Sequence, residues 1–421
     1  MSAHAYVVVD LGFGDAGKGT LTDHLARTRG AIGVVRFNGG AQAGHNVVTD
    51  DGRHHTFAQL GAGSFVPGVR THLAAPFVLH PTALVVEAEH LARKGVDDPL
   101  SRLTVSPEAL VITPYHQHLN QLRERARGEA RHGTCGVGLG ETVAHALAHP
   151  DRCLRARDLA HPGRLVARLH ALREELRGVA ETIAAQRDPI WEDDALPARW
   201  SERASSLAPR LRRDDEVLGA WLRGERPVVF EGAQGVLLDE WRGFHPHTTW
   251  SNCTFDNARA LLAVGGHRGP VTRVAVTRTY STRHGAGPFP TEDPAFAARR
   301  AEPHNDARGW QGAFRAGPLD LVLARYALAA CGGADALAVT HCDAVEERWP
   351  LCTRYEGVDE IPLGPPRDLA HQRALGERLR AVRPTWTYLD CGVAEAIAAH
   401  LGLPLWITSH GPRPSHKRER S

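Results

Sequence analysis

Tyr6-Val-Val-Val-Asp-Leu-Gly-Phe-Gly-Asp-Ala-Gly-Lys-Gly-Thr20 begins as an apolar, β-rich run and breaks into glycines. Such a run, closed by a glycine loop, reads as a buried strand of a sheet. The glycines let backbone N–H groups turn inward on an anion, and Lys18 adds a cation. Two templates fit. As G-x-G-x-x-G from Gly12 the loop opens a dinucleotide-binding unit, and as G-x-x-x-x-G-K it is a phosphate loop with Gly19-Thr20 after the lysine. The acid that an NAD site needs about 20 residues further on is missing. Val35-Arg36 stands there, which suits NADP. Lys18 together with an acid inside the loop favours a nucleoside triphosphate.

Four more apolar runs end in polar or glycine-rich loops. Val228-Val-Phe leads into Glu231-Gly-Ala-Gln-Gly, and Val274-Ala-Val into Thr277-Arg-Thr-Tyr-Ser-Thr-Arg. Ala336-Leu-Ala-Val leads into Thr340-His-Cys-Asp, and Leu405-Trp-Ile into Thr408-Ser-His-Gly-Pro. Together they predict an α/β fold with a mostly parallel central sheet flanked by helices. In such sheets ligands bind beyond the carboxyl ends of the strands, so chemistry is expected in these loops. Between about 107 and 226 the texture changes. Gly163 to Arg177 carries Leu and Val at helical spacing with charges between, and residues 202–223 repeat that pattern. This stretch reads as a helical insertion in a single domain spanning 1–421, with a turn at Asp188-Pro-Ile-Trp.

The chain has 421 residues, 42% hydrophobic and 23% charged, which excludes a largely disordered protein. A net charge of +2 provides no strong field for nucleic acid or an anionic membrane, so neither is expected as a partner. No apolar run reaches the ~18–20 residues of a membrane-spanning helix. The start, MSAHAYVVVD, lacks a basic region and a signal-length apolar stretch. Seven cysteines without a C-x-x-C pair fit a reduced, cytoplasmic compartment. Histidine is abundant, with H-x-H at His116/His118 and His245/His247, yet no zinc spacing is present. The basic tail after Pro414 reads as a frayed, solvated end.

Two residues carry open alternatives. Asp15 sits inside an anion-binding loop, where it opposes phosphate unless a metal intervenes or it takes a proton. It also suits an Asx turn within its own loop. His45 closes a second glycine-rich loop, Arg36-Phe-Asn-Gly-Gly-Ala-Gln-Ala-Gly-His45, whose small residues permit close approach of a ligand. A structural histidine fits there equally.

With both loops in view, the chain resembles the adenylosuccinate synthetase family from about Tyr6 to Arg413. The family's W-G-D-E-G-K-G-K matches Phe13-Gly-Asp-Ala-Gly-Lys-Gly-Thr20, and G-G-H-N-A-G-H-T matches Gly39-Gly-Ala-Gln-Ala-Gly-His45-Asn. L-P-Y-H matches Thr113-Pro-Tyr-His116, and G-T-T-G-R-G matches Gly133-Thr-Cys-Gly-Val-Gly. F-E-G-A-Q-G-x-L-L-D matches Phe230 to Asp239, and Y-T-T-R-x-G-x-G-P-F-P-T-E matches Tyr280 to Glu292. T-K-L-D matches Thr340-His-Cys-Asp343, and S-T-G-P matches Ser409-His-Gly-Pro412. So many matches in order set the dinucleotide reading aside.

The resemblance implies a fold related to P-loop GTP-binding proteins, a GTP-dependent C–N ligase and a homodimer. GTP phosphorylates the 6-oxo group of IMP, and an amine then displaces the phosphate. A lactam oxygen leaves poorly, and phosphorylation makes it a good leaving group. By resemblance Asp15 is the general base that frees the oxo oxygen as nucleophile, and with the Gly44 carbonyl it faces Mg2+. His45 stabilises the transferring phosphoryl group. Gly14, Gly17, Lys18 and Gly19 hold GTP phosphates. Asp343 accepts guanine N1–H and its 2-amino group, with Ser409 and Gly411 beside the base. Gln42, Thr134, Cys135, Gln234 and Thr249 fall at substrate positions.

The departures are equally specific. The family's Glu, Asn and second Thr are here Ala16, Gln42 and Cys135, and the Lys of T-K-L-D is His341. For the arginine that reaches the neighbouring subunit's nucleotide, Arg152 is the candidate, with spacing shifted by about two residues. The family's aspartate-binding loop of Thr-Thr-Gly and arginines is replaced by Asn305-Asp-Ala-Arg-Gly-Trp-Gln-Gly-Ala-Phe-Arg-Ala316, which keeps Arg308 and Arg315. Trp310 and Phe314 in that space suggest a less charged amine, or an oxo substrate that fills it. Three functions follow. The first is a ligase acting on IMP or a purine-like nucleotide with a donor other than aspartate, in a specialised nucleoside or natural-product pathway. The second is the housekeeping synthetase of purine biosynthesis. The third is an inactive nucleotide-binding homologue, which retention of Asp15, Lys18 and His45 opposes.

Overall fold

A computed structural model describes residues 2–184, 188–300 and 310–420. Among them, nine strands build the central sheet. They are β1 (Ala5–Asp10), β2 (Gly33–Arg36), β3 (Arg70–Leu73), β4 (Leu103–Val105), β5 (Val228–Glu231), β6 (Val271–Arg278), β7 (Ala336–Thr340), β8 (Leu405–Ser409) and β9 (Lys417–Glu419). Their order is β9-β8-β7-β6-β1-β5-β2-β3-β4. Every neighbouring pair is parallel except β8 with β9. A parallel strand buried on both faces needs apolar side chains on both. β1 supplies them: Val7 and Val9 join one core cluster, Tyr6 and Val8 the cluster on the opposite face. The chain moves from β1 out to β4, returns as β5 between β1 and β2, then builds the other half from β6 onward. This reversal opens a crevice at the carboxyl ends of β1, β5 and β6.

Between β4 and β5 the chain forms helices Pro114–Arg127, Leu139–Ala148, Pro162–Ile183, Leu196–Ser205 and Asp214–Leu222. The long one buries Leu165, Leu169, Leu172 and Leu176 along one stripe, the helical spacing seen in the sequence. The texture of 202–223 is interrupted at Ala208–Arg210, where Pro209 cannot donate a backbone N–H to a continuing helix. Asp188 accepts from the Ile190 N–H at 3.1 Å and starts the expected turn. No helix among the described residues is long and apolar enough to cross a membrane.

Two features depart from the sequence reading. The tail is not frayed, because β9 pairs with β8 and Lys417 is buried, donating to the carbonyls of Gly411 (2.9 Å) and Arg413 (3.0 Å). A second sheet also forms, from Tyr280–His284, Phe314–Asp320, Trp349–Tyr355 and Pro384–Leu389. Its first two strands hold Arg, Gly and Pro, residues that signal strands weakly, so tertiary pairing decides them. The first of these strands brings Arg283 and His284 to the crevice.

Asp320 ends the second of these strands and caps helix Leu321–Ala330, accepting from the Leu323 N–H (3.0 Å) and the Tyr355 hydroxyl (2.6 Å). Burial pushes its carboxyl up from 3.8 to about 6, against the pull of Tyr355 and the helix N–H groups. The folded state thus holds the proton more tightly than the unfolded chain. That stabilisation is full below the unfolded value and is lost as pH rises through about 6. Asparagine keeps the cap without the charge. Asp320→Asn is expected to remove a pH-dependent loss of up to ~3 kcal/mol. Urea unfolding of both proteins at several pH values from 4 to 8 checks this; stability curves that stay parallel would contradict it.

Candidate active site

The loop after β1 is shaped by a residue that the sequence reading passed over. The buried Asp10 carboxylate accepts from the N–H groups of Gly12 (2.7 Å) and Ala16 (2.9 Å) and pairs with the Lys18 ammonium at 2.8 Å. Lys18 therefore rests on Asp10 at the cavity wall, and a ligand phosphate there shares it with that carboxylate. Asp15 has φ +63°, a left-handed conformation that a non-glycine residue adopts at a cost of ~1–3 kcal/mol. Its carboxylate leaves the loop and accepts from His284 Nε2 at 3.0 Å, which disfavours the Asx-turn alternative. Burial would raise the Asp15 pKa, but the His284 hydrogen bond and the charges of His284, Arg278 and Lys18 bring it down to about 2. Asp15 is thus ionised at neutral pH, as a metal ligand or proton acceptor must be.

His45 begins strand His45–Val48, and its backbone and Cβ lie close to Gly19 in the first helix, Lys18–Thr28. A Cβ at Gly19 would come within 2.6 Å of the His45 Cβ, so only glycine lets the two loops meet. His45 Nδ1 is 2.6 Å from Glu231, which ends β5. Glu231 is fully buried, 4.0 Å from Arg36, and accepts the Ala62 N–H at 3.0 Å. Burial would raise its pKa, yet Arg36, His45 and these hydrogen bonds hold it below the usual range. Burial lowers the pKa of His45, against the raising effect of Glu231. The neutral ring therefore carries its proton on Nδ1 and leaves Nε2 for a ligand. Arg36 is 0% exposed and donates to the carbonyls of Ala58 and Leu60. It cannot serve an NADP phosphate, and that alternative falls.

These groups surround a cavity of about 1250 Å³. Its wall includes Gly14, Asp15, Gly17, Lys18 and Gly19 from the first loop and Gln42, Gly44 and His45 from the second. Thr134, Cys135, Gln234, Thr249, Asp343, Ser409 and Gly411 also line it. Both amide atoms of Gln42 and the Gln234 Oε1 are buried without a partner among the described residues, so they suit a polar ligand. The Cys135 thiol is pushed up to about 11 by burial and accepts from Gln311 Nε2 at 3.2 Å; it is no nucleophile.

Several assigned residues lie elsewhere. Arg152, expected to serve a neighbouring subunit's nucleotide, is 67% exposed, stands 3.6 Å from Glu175 and lies outside this chain's own cavity. Arg315 donates to Glu292 (2.8 Å) and to the carbonyls of Gly285 (2.9 Å) and Gly287 (3.1 Å), because its strand points it at that loop. Arg308 lies outside the described residues. Trp310 and Phe314 do not line the cavity: Trp310 stacks under Arg125 (5.2 Å) and Phe314 meets the His284 ring edge-on. Gln311 takes that wall instead. Glu231 lay inside a quoted motif, but no residue-type rule separated it from a core acid. His284 lies at the variable position of a different motif, Tyr280 to Glu292, and Asp10 at an ordinary strand end.

A parallel α/β sheet with a glycine phosphate loop at its switch point places the chain among nucleotide-dependent α/β proteins. Comparison with known proteins narrows this. The adenylosuccinate synthetase family profile matches residues 7–388. A protein of Frankia alni named adenylosuccinate synthetase is 35% identical over 370 residues, covering 85% of this chain and 83% of its own. One of Pseudomonas fluorescens with the same name is 32% identical over 429 residues, 96% of each. The fully ligated adenylosuccinate synthetase of Plasmodium falciparum superposes with a TM-score of 0.83 at 21% identity over 99% of both chains. The succinoaminodeoxyadenylate synthetase of cyanophage S-2L, bound to dGMP and dATP, gives 0.65 at 19% identity, over 100% of this chain and 96% of that one. The chain belongs to the adenylosuccinate synthetase family, a family of GTP-dependent ligases.

Proposed function

We propose that this protein uses GTP to phosphorylate the oxo group of IMP or a purine-like nucleotide and lets an amine other than aspartate displace the phosphate. The observation that carries the ligase reading is the joint placement of Asp15, the Glu231–His45 pair, Gln42 and Gln234 around one cavity. The donor set fits magnesium. Asp15 and Gly44 both line the cavity and would supply a carboxylate and a carbonyl, and Mg2+ in phosphate sites takes one or two carboxylates with phosphate and water making up the rest. Bound Mg2+ would offset charge on the GTP phosphates. Asp15 then accepts the proton of the ring N–H beside the oxo group, which turns that oxygen into the nucleophile. Phosphate oxygens near Nε2 favour protonation of His45, and Glu231 compensates the resulting charge. The imidazolium donates to the transferring group.

The altered donor rests on the fixed positions of Arg315 and Gln311. The second reading, the aspartate-using housekeeping enzyme, is favoured by the names of the Frankia and Pseudomonas relatives. Phosphate release with GTP, IMP and a panel of amines separates the two. No phosphate release with any amine, alongside intact GTP binding, would favour the inactive homologue.

Asp343, Ser409 and Gly411 share one end of the cavity wall with Pro412. A carboxylate can accept both guanine N1–H and the 2-amino group, whereas an amide presents one acceptor and two donors. Asp343→Asn is expected to reduce the preference for GTP over ATP or ITP by ~10–10²-fold, from losing a charged hydrogen bond. Competition assays measure it; unchanged base selectivity would remove Asp343 from this role.

A further inference from the structure

We propose that His284 is a positioning residue for Asp15: its imidazole N–H holds carboxylate oxygen Oδ2, leaving Oδ1 to face the substrate's ring N–H. The inference rests on the proposed ligase reading for the role of Asp15, but the contact itself does not. His284 stands at the variable position of the motif Y-T-T-R-x-G, so the family pattern does not call for histidine there.

The geometry gives the two partners unequal freedom. Asp15 belongs to a loop, and its side chain is 37% exposed to the open cavity. A carboxylate so placed has several rotamers of similar energy. His284 belongs to a sheet. It is paired with Phe314 across the antiparallel strands, and its ring packs edge-on against that residue, centroids 5.1 Å apart at 64°. Its Nε2 lies 3.0 Å from Asp15 Oδ2. A donor fixed on a sheet selects one rotamer of a mobile acceptor, which is how precise sites are held. The neutral Nε2–H tautomer and the imidazolium both donate, so the clamp needs no proton uptake. A carboxylate has two oxygens, and with one engaged the other has a defined direction. An ion pair without this role would move stability and leave turnover alone.

Two substitutions and two readouts test the proposal. His284→Val removes the donor. His284→Gln keeps an N–H about as far from the backbone as Nε2. Expected for His284→Val is a ~10–10²-fold fall in kcat for amine-dependent phosphate release, with KM for GTP and the oxo nucleotide within ~3-fold. His284→Gln should recover most of the rate. Crystal structures of the unliganded wild-type and His284→Val proteins read the Asp15 rotamer directly: one conformer is expected in the first, several in the second. Wild-type turnover in His284→Val, a His284→Gln protein as slow as His284→Val, or an unchanged single Asp15 conformer would each overturn the clamp. If the wild-type protein releases no phosphate with any amine, the ligase reading fails, and the two crystal structures still decide the clamp.

Discussion

Asp15→Asn is expected to lower amine-dependent phosphate release from GTP by ~10²–10⁴-fold while GTP binding stays within a few-fold; that is the usual loss when a positioned base is removed. The side chain is isosteric, and its Oδ1 can still accept from His284, so the loop should keep its left-handed turn at this position. What disappears is the negative charge. A carboxamide cannot take the ring N–H proton, so the oxo oxygen stays a weak nucleophile. The fall should be in kcat rather than KM, because the group acts on the transition state. Asp15 is held at about 2, so its own protonation should not set an acid limb near pH 4 in the wild-type profile. Single-turnover phosphate release and equilibrium GTP binding measure the two halves. Near-normal turnover would return Asp15 to a structural role.

What the sequence revealed and what it hid divide along a physical line. The strands β1, β5, β6, β7 and β8 were legible because each holds a run of apolar residues packed into the core, partly so in β8, and burial writes itself directly into composition. The second sheet was hidden, since Arg283, Gly317 and Pro318 in its strands obey tertiary pairing rather than propensity. At the site, residues that face a ligand were named from loop motifs, and fifteen of them line one cavity. Residues that hold those residues were not. Asp10, Glu231 and His284 touch Lys18, His45 and Asp15 from sequence distances of 8, 186 and 269 residues. No local pattern joins the last two pairs, and for Asp10 the turn that brings it back onto Lys18 is a matter of loop conformation and not of residue type. Arg315 shows a related effect: it has the right chemistry, but side-chain direction depends on the strand that carries it, and in this chain Glu292 takes it.

L-Aspartate is expected to be a poor donor, with efficiency ~10²–10⁴-fold below that of the preferred amine, the cost of two missing charged hydrogen bonds at ~1.5–3 kcal/mol each. A dicarboxylate entering a dry cavity must replace water with charged donors. The cavity does carry cations, but several are committed to other partners. Arg123 pairs with Glu141 at 2.9 Å, Arg127 with Glu124 at 2.6 Å, and Lys18 with Asp10 at 2.8 Å. Arg283 is 2% exposed and donates to the carbonyls of Ala286, Pro288 and His247. Its pKa is lowered to about 9 by burial and by the neighbouring Arg315 and Arg380. Arg315 does not reach the wall, which presents Gln311 and Cys135 instead. Recruiting any of the paired cations for a carboxylate breaks an existing contact and leaves its old partner uncompensated. Gln311 can donate to one neutral or singly charged group, so the wall suits an amine with an amide, hydroxyl or single carboxylate better than a dicarboxylate. Steady-state kinetics with GTP, IMP and aspartate, beside monocarboxylate and neutral amines, decide the matter. Adenylosuccinate formed at a kcat/KM of ~10⁴ M⁻¹s⁻¹ or more, ordinary for an enzyme, would overturn the prediction and establish the housekeeping reading.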